Sequence, residues 1–277
     1  KKYCSTPTID RLAAEGMRFT NVCCNNSICS PSRATILTGQ YSHKNGVPSL
    51  NGAINEDSPQ VAAQLQKAGY QTAVFGKWHL TSQPKGFDTY KVTRGQGSWF
   101  DPVFFTKTGQ WYGKKKKRER VPGEKHEGYC SDVYTDQALQ WLKARDAKKP
   151  FCMMLHFKAP HHSYEYPERW KDYLKDTLIP EPPSLHEDVE KTSPLLKGVH
   201  TWHMVDKNGY FGRHENDKEP PMWPHDGSVR SKTSAAYQHM IHKYLRAVGA
   251  VDDNIKRVID YLEKERIKDD TLIIYTS

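Results

Sequence analysis

The sequence predicts an α/β fold in which a mostly parallel central sheet is covered by helices on both faces. Segments with helical spacing alternate along the chain with short segments of β-forming residues. One short segment, 151–157 (FCMMLHF), is apolar at nearly every position, and a strand of that kind belongs inside a covered sheet. In such sheets functional groups gather at the carboxyl ends of the strands.

The first predicted elements are a helix, a strand and a second helix. Residues 8–15 have helical spacing, and residues 18–22 (RFTNV) form a candidate strand that leads into a cysteine-rich loop. Ser58 offers an N-cap for the second helix, with Pro59 at its first position. Gly69 provides its C-terminal stop.

The rest of the chain continues this alternation. The predicted strands are 71–75, 151–157 and 271–276, and the predicted helices are 132–144 and 237–265. Residues 180–230 are rich in Pro, Gly, His and Trp without periodicity, which indicates an irregular insertion. The sequence shows no internal repeat and no linker, so residues 1–277 are expected to form a single domain.

The composition fits a globular protein with an anionic partner. The chain has 277 residues, of which 36% are hydrophobic, and a formal net charge of +9. Summed positive potential concentrates anions such as nucleic acid, acidic polysaccharide or small esters. The densest charge, at 114–118 and Arg120, is expected to lie in a loop that is either simply solvated or guides an anionic polymer. No nucleic-acid motif accompanies it, so nucleic acid is not an expected partner.

Cysteine usage and hydropathy leave the cellular compartment open. The six cysteines lack the paired short spacings of a zinc site and are too sparse for a disulfide-stapled scaffold. No stretch approaches the roughly 18 to 20 apolar residues of a membrane span. The basic N-terminus is not followed by the apolar segment of a signal peptide. We therefore expect a soluble chain without a membrane span, from which any export signal has been removed.

The segment 29–39 (CSPSRATILTG) places a cysteine at a predicted helix start. Pro31 can occupy the first helical position and Gly39 can end the helix, so Cys29 lies at its N-terminus. Backbone N–H groups and the positive end of the helix dipole stabilise a tetrahedral anion there, and Arg33 returns toward that end one turn later. Sulfate is such an anion. A lone cysteine in this place would more often be buried and structural.

The pattern Cys-x-Pro-Ser-Arg followed by Ala-Thr-x-Leu-Thr-Gly resembles the signature of type I sulfatases, in the alkaline phosphatase superfamily. That resemblance implies an α/β fold of the same kind and hydrolysis of sulfate esters. It also implies that Cys29 is converted to formylglycine, by a formylglycine-generating enzyme or an anaerobic sulfatase-maturating enzyme. One hydroxyl of the hydrated aldehyde would attack sulfur, and the other would later expel sulfate.

Two further segments resemble sulfatase motifs. Residues 76–79 (GKWH) are similar to the Gly-Lys-Trp-His element, and alternate residues Lys77 and His79 would point the same way from an extended backbone. By resemblance Lys77 neutralises a sulfate oxygen, and His79 contacts the formylglycine hydrate and takes a proton as the sulfated intermediate collapses. Without the cysteine motif, this pair would be interpreted as an exposed turn.

The second of these segments, 159–161 (APH), follows the apolar segment 151–157 and is similar to the Ala-Pro-His element of the family. His161 is the matching position. Its implied role is a hydrogen bond to the bridging ester oxygen, with proton donation to the leaving alkoxide. His162 is the alternative position, and a merely structural histidine is the remaining interpretation.

Other residues give weaker signals. Residues 86–88 (GFD), 95–97 (GQG) and 101–102 (DP) resemble the connecting region of sulfatases that act on sulfated sugars, where aromatic residues could stack on sugar rings or simply pack a loop. Those aromatics are Trp99, Phe100, Phe104, Phe105, Trp111 and Tyr112. Four histidines of the insertion are compatible with ordinary loops, with a cleft lining or with zinc: His200, His203, His214 and His225.

The sequence departs from the family at the implied calcium site. Type I sulfatases bind a divalent cation, usually Ca²⁺, through an Asp-Asp pair, an Asp-Asn pair and the formylglycine oxygen, which would make position 29 a ligand. Neither pair is in register here, and Asp252 and Asp253 fall inside a helical pattern. The chain is therefore expected to lack the family's first strand and C-terminal subdomain, and to be inactive as a fragment.

Sulfatase activity on a sulfated carbohydrate is the first interpretation, and two alternatives stay open. A phosphatase or phosphonate hydrolase of the same superfamily would act on an ester of the same tetrahedral geometry. A catalytically silent binder of sulfated polysaccharide would keep Cys29 unmodified. The resemblance also implies a periplasmic, secreted or lysosomal location.

Overall fold

The computed structural model describes residues 2–50, 52–108, 123–187, 191, 205, 209–218 and 220–276. The basic run 114–118 with Arg120, and the residues Trp111, Tyr112, His200 and His203, lie outside the described residues. The chain divides into two compact units. We call Pro7–Ala159 with Val251–Ser277 the sheet unit, and Lys1–Thr6 with Pro160–Ala250 the helical unit. One catalytic domain over residues 1–277 stays a prediction.

The sheet unit is built on five strands in the order β4-β3-β2-β1-β5. The strands are β1 (Gln71–Lys77), β2 (Thr89–Thr93), β3 (Val103–Thr106), β4 (Glu124–Lys125) and β5 (Phe151–His156). β1 runs parallel to both neighbours, so that Val74 pairs with Tyr90 on one side and with Met154 on the other. β3 and β4 continue the sheet antiparallel.

Helices cover both faces of β1. The helices of this unit are α1 (Pro7–Glu15), α2 (Cys29–Thr38), α3 (Ser42–Asn45), α4 (Val61–Lys67) and α5 (Cys130–Ala144). Side chains alternate along a strand, so Val74 packs in one cluster with Leu37 of α2 and Ala62 of α4. Phe75 faces the opposite cluster with Ala138 of α5. The predicted α/β fold, parallel at its centre and covered on both faces, is confirmed.

The helical unit contains 3₁₀ turns Glu168–Trp170 and Pro183–His186, the short helix α6 (Tyr210–His214) and most of α7 (Val229–Lys264). The side-chain amide of Gln238 bonds both the N–H and the carbonyl of Ile179, at 3.0 and 2.7 Å. The Gln238 side chain thus pairs the peptide groups of Ile179 as a neighbouring strand would in a sheet, because buried N–H and C=O groups require hydrogen bonds. No helix among the described residues is both long and apolar enough to cross a membrane.

Helix positions were predicted better than strand positions. The helices predicted at 8–15, 132–144 and 237–265 are confirmed as α1, α5 and the longer α7. The helix predicted from Pro59 begins instead at Val61. The strands predicted at 18–22 and 271–276 do not form, and Phe19 and Ile274 remain 72% and 76% exposed. β-propensity alone is insufficient because a strand requires a neighbour to pair its backbone.

Candidate active site

The sheet unit places Cys29 at the start of α2. Ile28 before it is extended, with φ −120° and ψ 145°, and Gly39 ends the helix at φ 66° with its N–H on the Thr35 carbonyl. The helix starts two residues earlier than predicted, since Pro31 occupies its third position. The half-buried Cys29 side chain therefore lies at the positive end of the helix dipole, where an oxyanion is stabilised.

Ser30 fixes this helix start to the segment that follows β1. Its side chain is fully buried, and its hydroxyl lies 2.6 Å from the carbonyl of His79 and 3.1 Å from that of Leu50. A hydroxyl has one proton, so the two carbonyls share it. This contact brings the segment 76–79 to the first turn of α2.

Arg33 ties α2 to the carboxyl end of β1. Its Nη1 donates to the backbone carbonyl of Lys77 at 2.6 Å. Burial lowers the pKa of Arg33, while the nearby Cys29 and Tyr134 oppose that change. The guanidinium stays charged because its ordinary pKa is far above neutrality. It therefore adds positive charge close to the first turn of α2.

Lys77 is the last residue of β1 and faces Cys29. Only 2% of the residue is exposed, and its Nζ lies 3.8 Å from Cys29 Sγ and 2.6 Å from Gln96 Oε1. Burial lowers the pKa of Lys77 to about 8; the interaction with Cys29 opposes this change, and the charges of Arg33 and Lys158 add to it. The predicted proximity of Lys77 and Cys29 is thus present.

His79 does not continue the extended backbone that the sequence predicts. β1 ends at Lys77, Trp78 is buried in the core, and His79 has φ 53°, in the left-handed region. The backbone turns here because Trp78 packs against Phe87 in the core while the His79 carbonyl accepts from Ser30. The interpretation of Lys77 and His79 as alternate residues of one strand is therefore wrong. The catalytic role of His79 stays a prediction.

His161 belongs to the helical unit. Its Nδ1 lies 2.6 Å from the carbonyl of His162. The His162 ring packs edge-on against the rings of Tyr164 and Tyr210. Burial, followed by the nearby His214, lowers the pKa of His162. The roles of both histidines at an ester oxygen stay predictions.

The two described histidines of the insertion have ordinary contacts. His214 Nδ1 lies 2.9 Å from a carboxylate oxygen of Asp217, and His225 packs edge-on against Phe211. Within the described ranges, no three His, Cys, Asp or Glu residues are grouped so that they could hold a metal ion. These contacts support the loop interpretation for His225, whereas His214 is a buried residue at the end of α6.

The described residues also do not fit a calcium site by themselves. Calcium takes six to eight oxygen ligands, mostly carboxylates and carbonyls, whereas Cys29 has Arg33 and Lys77 beside it. Both carboxylate oxygens of Asp252 accept N–H groups at the start of α1, from Thr8 at 3.1 Å and Ile9 at 2.9 Å. Asp252, which lies inside α7, therefore caps the start of α1. Calcium remains an expectation that the family resemblance implies.

Sequence reasoning gave no individual role to three polar residues at this end of the sheet, one of which, Gln96, lies in the segment 95–97 (GQG). Gln96 holds Lys77, and Lys158 donates to the carbonyls of Gln96 and Gly97 at 2.9 and 3.1 Å. Burial lowers the pKa of His156 to about 3, with Arg33 adding to the effect. The sequence did contain a signal for two of them, because His156 lies in an otherwise apolar strand and Lys158 follows it shortly afterwards.

Packing accounts for part of the aromatic cluster that suggested sugar stacking. Trp99 and Tyr129 stack with ring centroids 6.4 Å apart, and Lys158 Nζ lies 4.8 Å from the Trp99 ring centroid. Phe104 is fully buried against Tyr134. Phe100 remains 48% exposed. The described contacts therefore favour loop packing for Trp99 and Phe104.

The geometry defines an anion-stabilising site around Cys29. A helix start, a guanidinium and an ammonium converge on it, and Lys158 adds a second nearby ammonium. The hydrogen bonds described for these three cations are to carbonyl and amide oxygens and to the Cys29 sulfur, without an ion pair to a described carboxylate. Their charge is thus left uncompensated in this part of the chain, which suits a bound oxyanion such as sulfate or phosphate.

Solved structures share this fold. One described as a complex with its substrate D-glucosamine-2-N,6-O-disulfate has a TM-score of 0.75 and 33% identity, over 94% of this chain and 57% of that one. A phosphonate monoester hydrolase from Silicibacter pomeroyi has a TM-score of 0.65 at 22% identity, over 98% of this chain and 57% of that one. The second likeness shows a shared fold alone.

Sequence comparison points the same way. The N-acetylglucosamine-6-O-sulfatase of Bacteroides thetaiotaomicron is 36% identical over 98% of this chain and 53% of its own length. A sulfatase of Formosa agariphila is 27% identical over 98% of this chain and 53% of its own length. The chain thus spans about half the length of these relatives. Since the sulfatase family model also matches residues 2–277, the protein belongs to the sulfatase family.

Proposed function

We propose that the whole protein hydrolyses sulfate esters with a nucleophile derived from Cys29. The position of Cys29 at the first turn of α2, with the ammonium of Lys77 3.8 Å from its sulfur, carries this proposal. A nucleophile and the groups that neutralise a sulfate must be adjacent, and here one helix start and one strand end supply both. Arg33 supports the arrangement by joining the two elements.

A sulfated amino sugar is the substrate class that we propose. The relative at 36% identity is named as a sulfatase of N-acetylglucosamine 6-O-sulfate groups, and the structure with a TM-score of 0.75 is described with a disulfated glucosamine. The formal net charge of +9 supports an anionic carbohydrate in general, because positive potential raises the local concentration of anions.

We propose the division of roles that the family resemblance implies, and the positions of Lys77 and Arg33 beside Cys29 support their part in it. A formylglycine made from Cys29 would supply a hydrated aldehyde as the nucleophile. Lys77 and Arg33 neutralise the negative charge on the sulfate oxygens, which would otherwise repel the nucleophile. His79 accepts a proton when sulfate leaves, and His161 protonates the departing alkoxide. A maturing enzyme is required as a partner, and calcium is the metal that the resemblance implies.

Mass spectrometry of the peptide that contains Cys29 tests the nucleophile. In the whole protein produced together with a formylglycine-generating or anaerobic sulfatase-maturating enzyme, we expect this peptide to lose roughly 18 Da, because a thiol is replaced by an aldehyde. The peptides that contain Cys130 and Cys152 serve as internal controls and should keep their mass. An unmodified Cys29 under these conditions would favour a silent binder of sulfated polysaccharide.

Hydrolysis of a phosphate or phosphonate ester is the second candidate function. The fold shared with a phosphonate monoester hydrolase favours it, since phosphate and sulfate are both tetrahedral anions. We expect kcat/KM of the converted protein to be at least about tenfold higher for an aryl sulfate than for the matching aryl phosphate or phosphonate. The reverse order in the same preparation would assign the site to phosphorus esters.

A further inference from the structure

Lys158 is a buried cation whose contacts lie on one short turn. The residue is 7% exposed, and its ammonium donates to the carbonyls of Gln96 and Gly97 while lying 4.8 Å from the Trp99 ring centroid. Burying an ammonium is costly unless its hydrogen bonds are satisfied. Its three contacts, to Gln96, Gly97 and Trp99, show what this cation holds in place.

The turn itself has little freedom to move. Gly95 and Gly97, on either side of Gln96, have φ values of 54° and 65°, which glycine adopts at low cost. A Cβ on Gly97 would lie 2.7 Å from Thr93 Oγ1, so the turn also lies tightly against the end of β2. Gly97 N–H closes the turn by donating to the Arg94 carbonyl at 3.1 Å. The backbone of Gln96 is thus fixed from both sides.

Gln96 transmits this fixed position to Lys77. The ammonium of Lys77 stands on four rotatable bonds and has two side-chain contacts, Gln96 Oε1 at 2.6 Å and Cys29 Sγ at 3.8 Å. The shorter contact restricts the ammonium more strongly, since hydrogen bonds to charged groups are the stronger class. Gln96 is itself exposed, so core packing does not fix its position, and that position depends on the turn at residues 95–97.

We propose that Gln96 and Lys158 are positioning residues for the candidate nucleophile. Lys158 holds the turn at residues 95–97, and Gln96 of that turn holds the Lys77 ammonium beside Cys29. The contact itself is independent of the reaction, whereas its catalytic consequence depends on the proposed sulfatase function. Neither residue has to touch the substrate for this role.

Alkylation of Cys29 in unconverted protein tests the contact without any need for turnover. Chloroacetamide labelling, followed peptide by peptide in a mass spectrometer, reads the reactivity of Cys29 among the other cysteines. Lysine close to a thiol increases its reactivity, so Gln96→Leu is expected to slow labelling of Cys29 about three- to tenfold. Gln66→Leu is the matched control, because the Gln66 amide bonds Asp88 beyond the opposite end of β1.

A double-mutant cycle separates positioning from a direct effect. If Gln96 acts through Lys77, Gln96→Leu should change the labelling rate less than about 1.5-fold in a Lys77→Met background. The full effect in that background would overturn the proposal. An unchanged labelling rate for Gln96→Leu in otherwise wild-type protein would overturn it as well, provided that Gln66→Leu also behaves like wild type.

Lys158 is tested by the same measurement. We expect Lys158→Met to slow Cys29 labelling in wild-type protein and to have little further effect once Gln96→Leu is present. Lys85→Met is the control, because it removes an exposed lysine bonded to a main-chain carbonyl, and it should leave the Cys29 labelling rate unchanged. An independent, undiminished effect of Lys158→Met beside Gln96→Leu would exclude the relay through Gln96. In the converted whole protein, the same variants should lower kcat/KM for an aryl sulfate. Absence of sulfatase activity in the converted wild type would refute the proposed function while leaving the labelling cycle decisive for this contact.

Discussion

Replacing Cys29 with alanine in the whole, converted protein is expected to lower sulfate ester turnover by at least about 10⁴-fold, to the background of the assay. The change removes the nucleophile, and the cations around it cannot replace a missing bond-forming group. Initial rates with an aryl sulfate, at enzyme concentrations high enough to detect a residual rate, provide the measurement.

The same substitution should leave the fold intact. Cys29 is half-buried at a helix start, so alanine removes one sulfur atom without a large cavity, and the midpoint of thermal unfolding should change by less than about 4 °C. Cys152→Ala is the matched control, because Cys152 lies in β5 next to Thr72, near the amino end of β1. Turnover close to wild type in Cys29→Ala would contradict the assignment of the nucleophile, whatever the unfolding midpoint.

Replacing Arg33 with alanine has the second largest expected effect. We expect kcat/KM for an aryl sulfate to fall about 10²- to 10³-fold, the range found when one preorganised donor to a developing oxyanion is removed. Part of the loss is structural, since Arg33 also donates to the Lys77 carbonyl at 2.6 Å. Loss of that bond should lower the free energy of unfolding by about 1–3 kcal/mol.

Arg33→Lys separates the two contributions. Lysine retains the charge but lacks the planar fork that can bond a carbonyl and an anion together. We therefore expect Arg33→Lys to recover most of the lost stability and only part of the lost kcat/KM. Urea unfolding and steady-state kinetics on the same preparations give both values. Full recovery of kcat/KM by lysine would show that charge alone matters at this position.

The cations near Cys29 explain why these variants are expected to act through charge. Burial lowers the pKa of Lys77 to about 8 and also lowers those of Arg33 and Lys158, because a desolvated cation loses the stabilisation of water. A bound sulfate would restore that stabilisation. The fold thus keeps positive charge at a place where a bound anion can neutralise it and where no described carboxylate does so.

Local patterns in the sequence predicted much of this site. In the segment 29–39, Pro31 and Gly39 predicted a helix with Cys29 at its N-terminus. The β-forming residues 71–75 predicted the strand that ends at Lys77. Both depend on interactions within a few residues, which propensity and capping describe well. The family resemblance then associated Cys29, Arg33 and Lys77, and the structure places these three together.

Predictions that required a distant partner were less successful. Residues 18–22 and 271–276 have β-forming composition but form no strand, because strand formation depends on a paired neighbour. The extended backbone expected at His79 was wrong because Trp78 and Ser30 make contacts far along the chain. The positions of the described residues around His161 do not test its role.

The sequence by itself determined the α/β class, the family and the nucleophile candidate, since periodicity and a short motif are properties of neighbouring residues. Only the tertiary structure showed that Gln96, 19 residues after Lys77 in the chain, bonds the Lys77 ammonium, and that Lys158, 81 residues after Lys77, bonds the backbone of Gln96. Such contacts arise where a strand end, a turn and a residue shortly after β5 meet in space. No local rule specifies them, because the hydrogen bonds that satisfy a buried cation depend on which backbone the fold brings within about 3 Å of it.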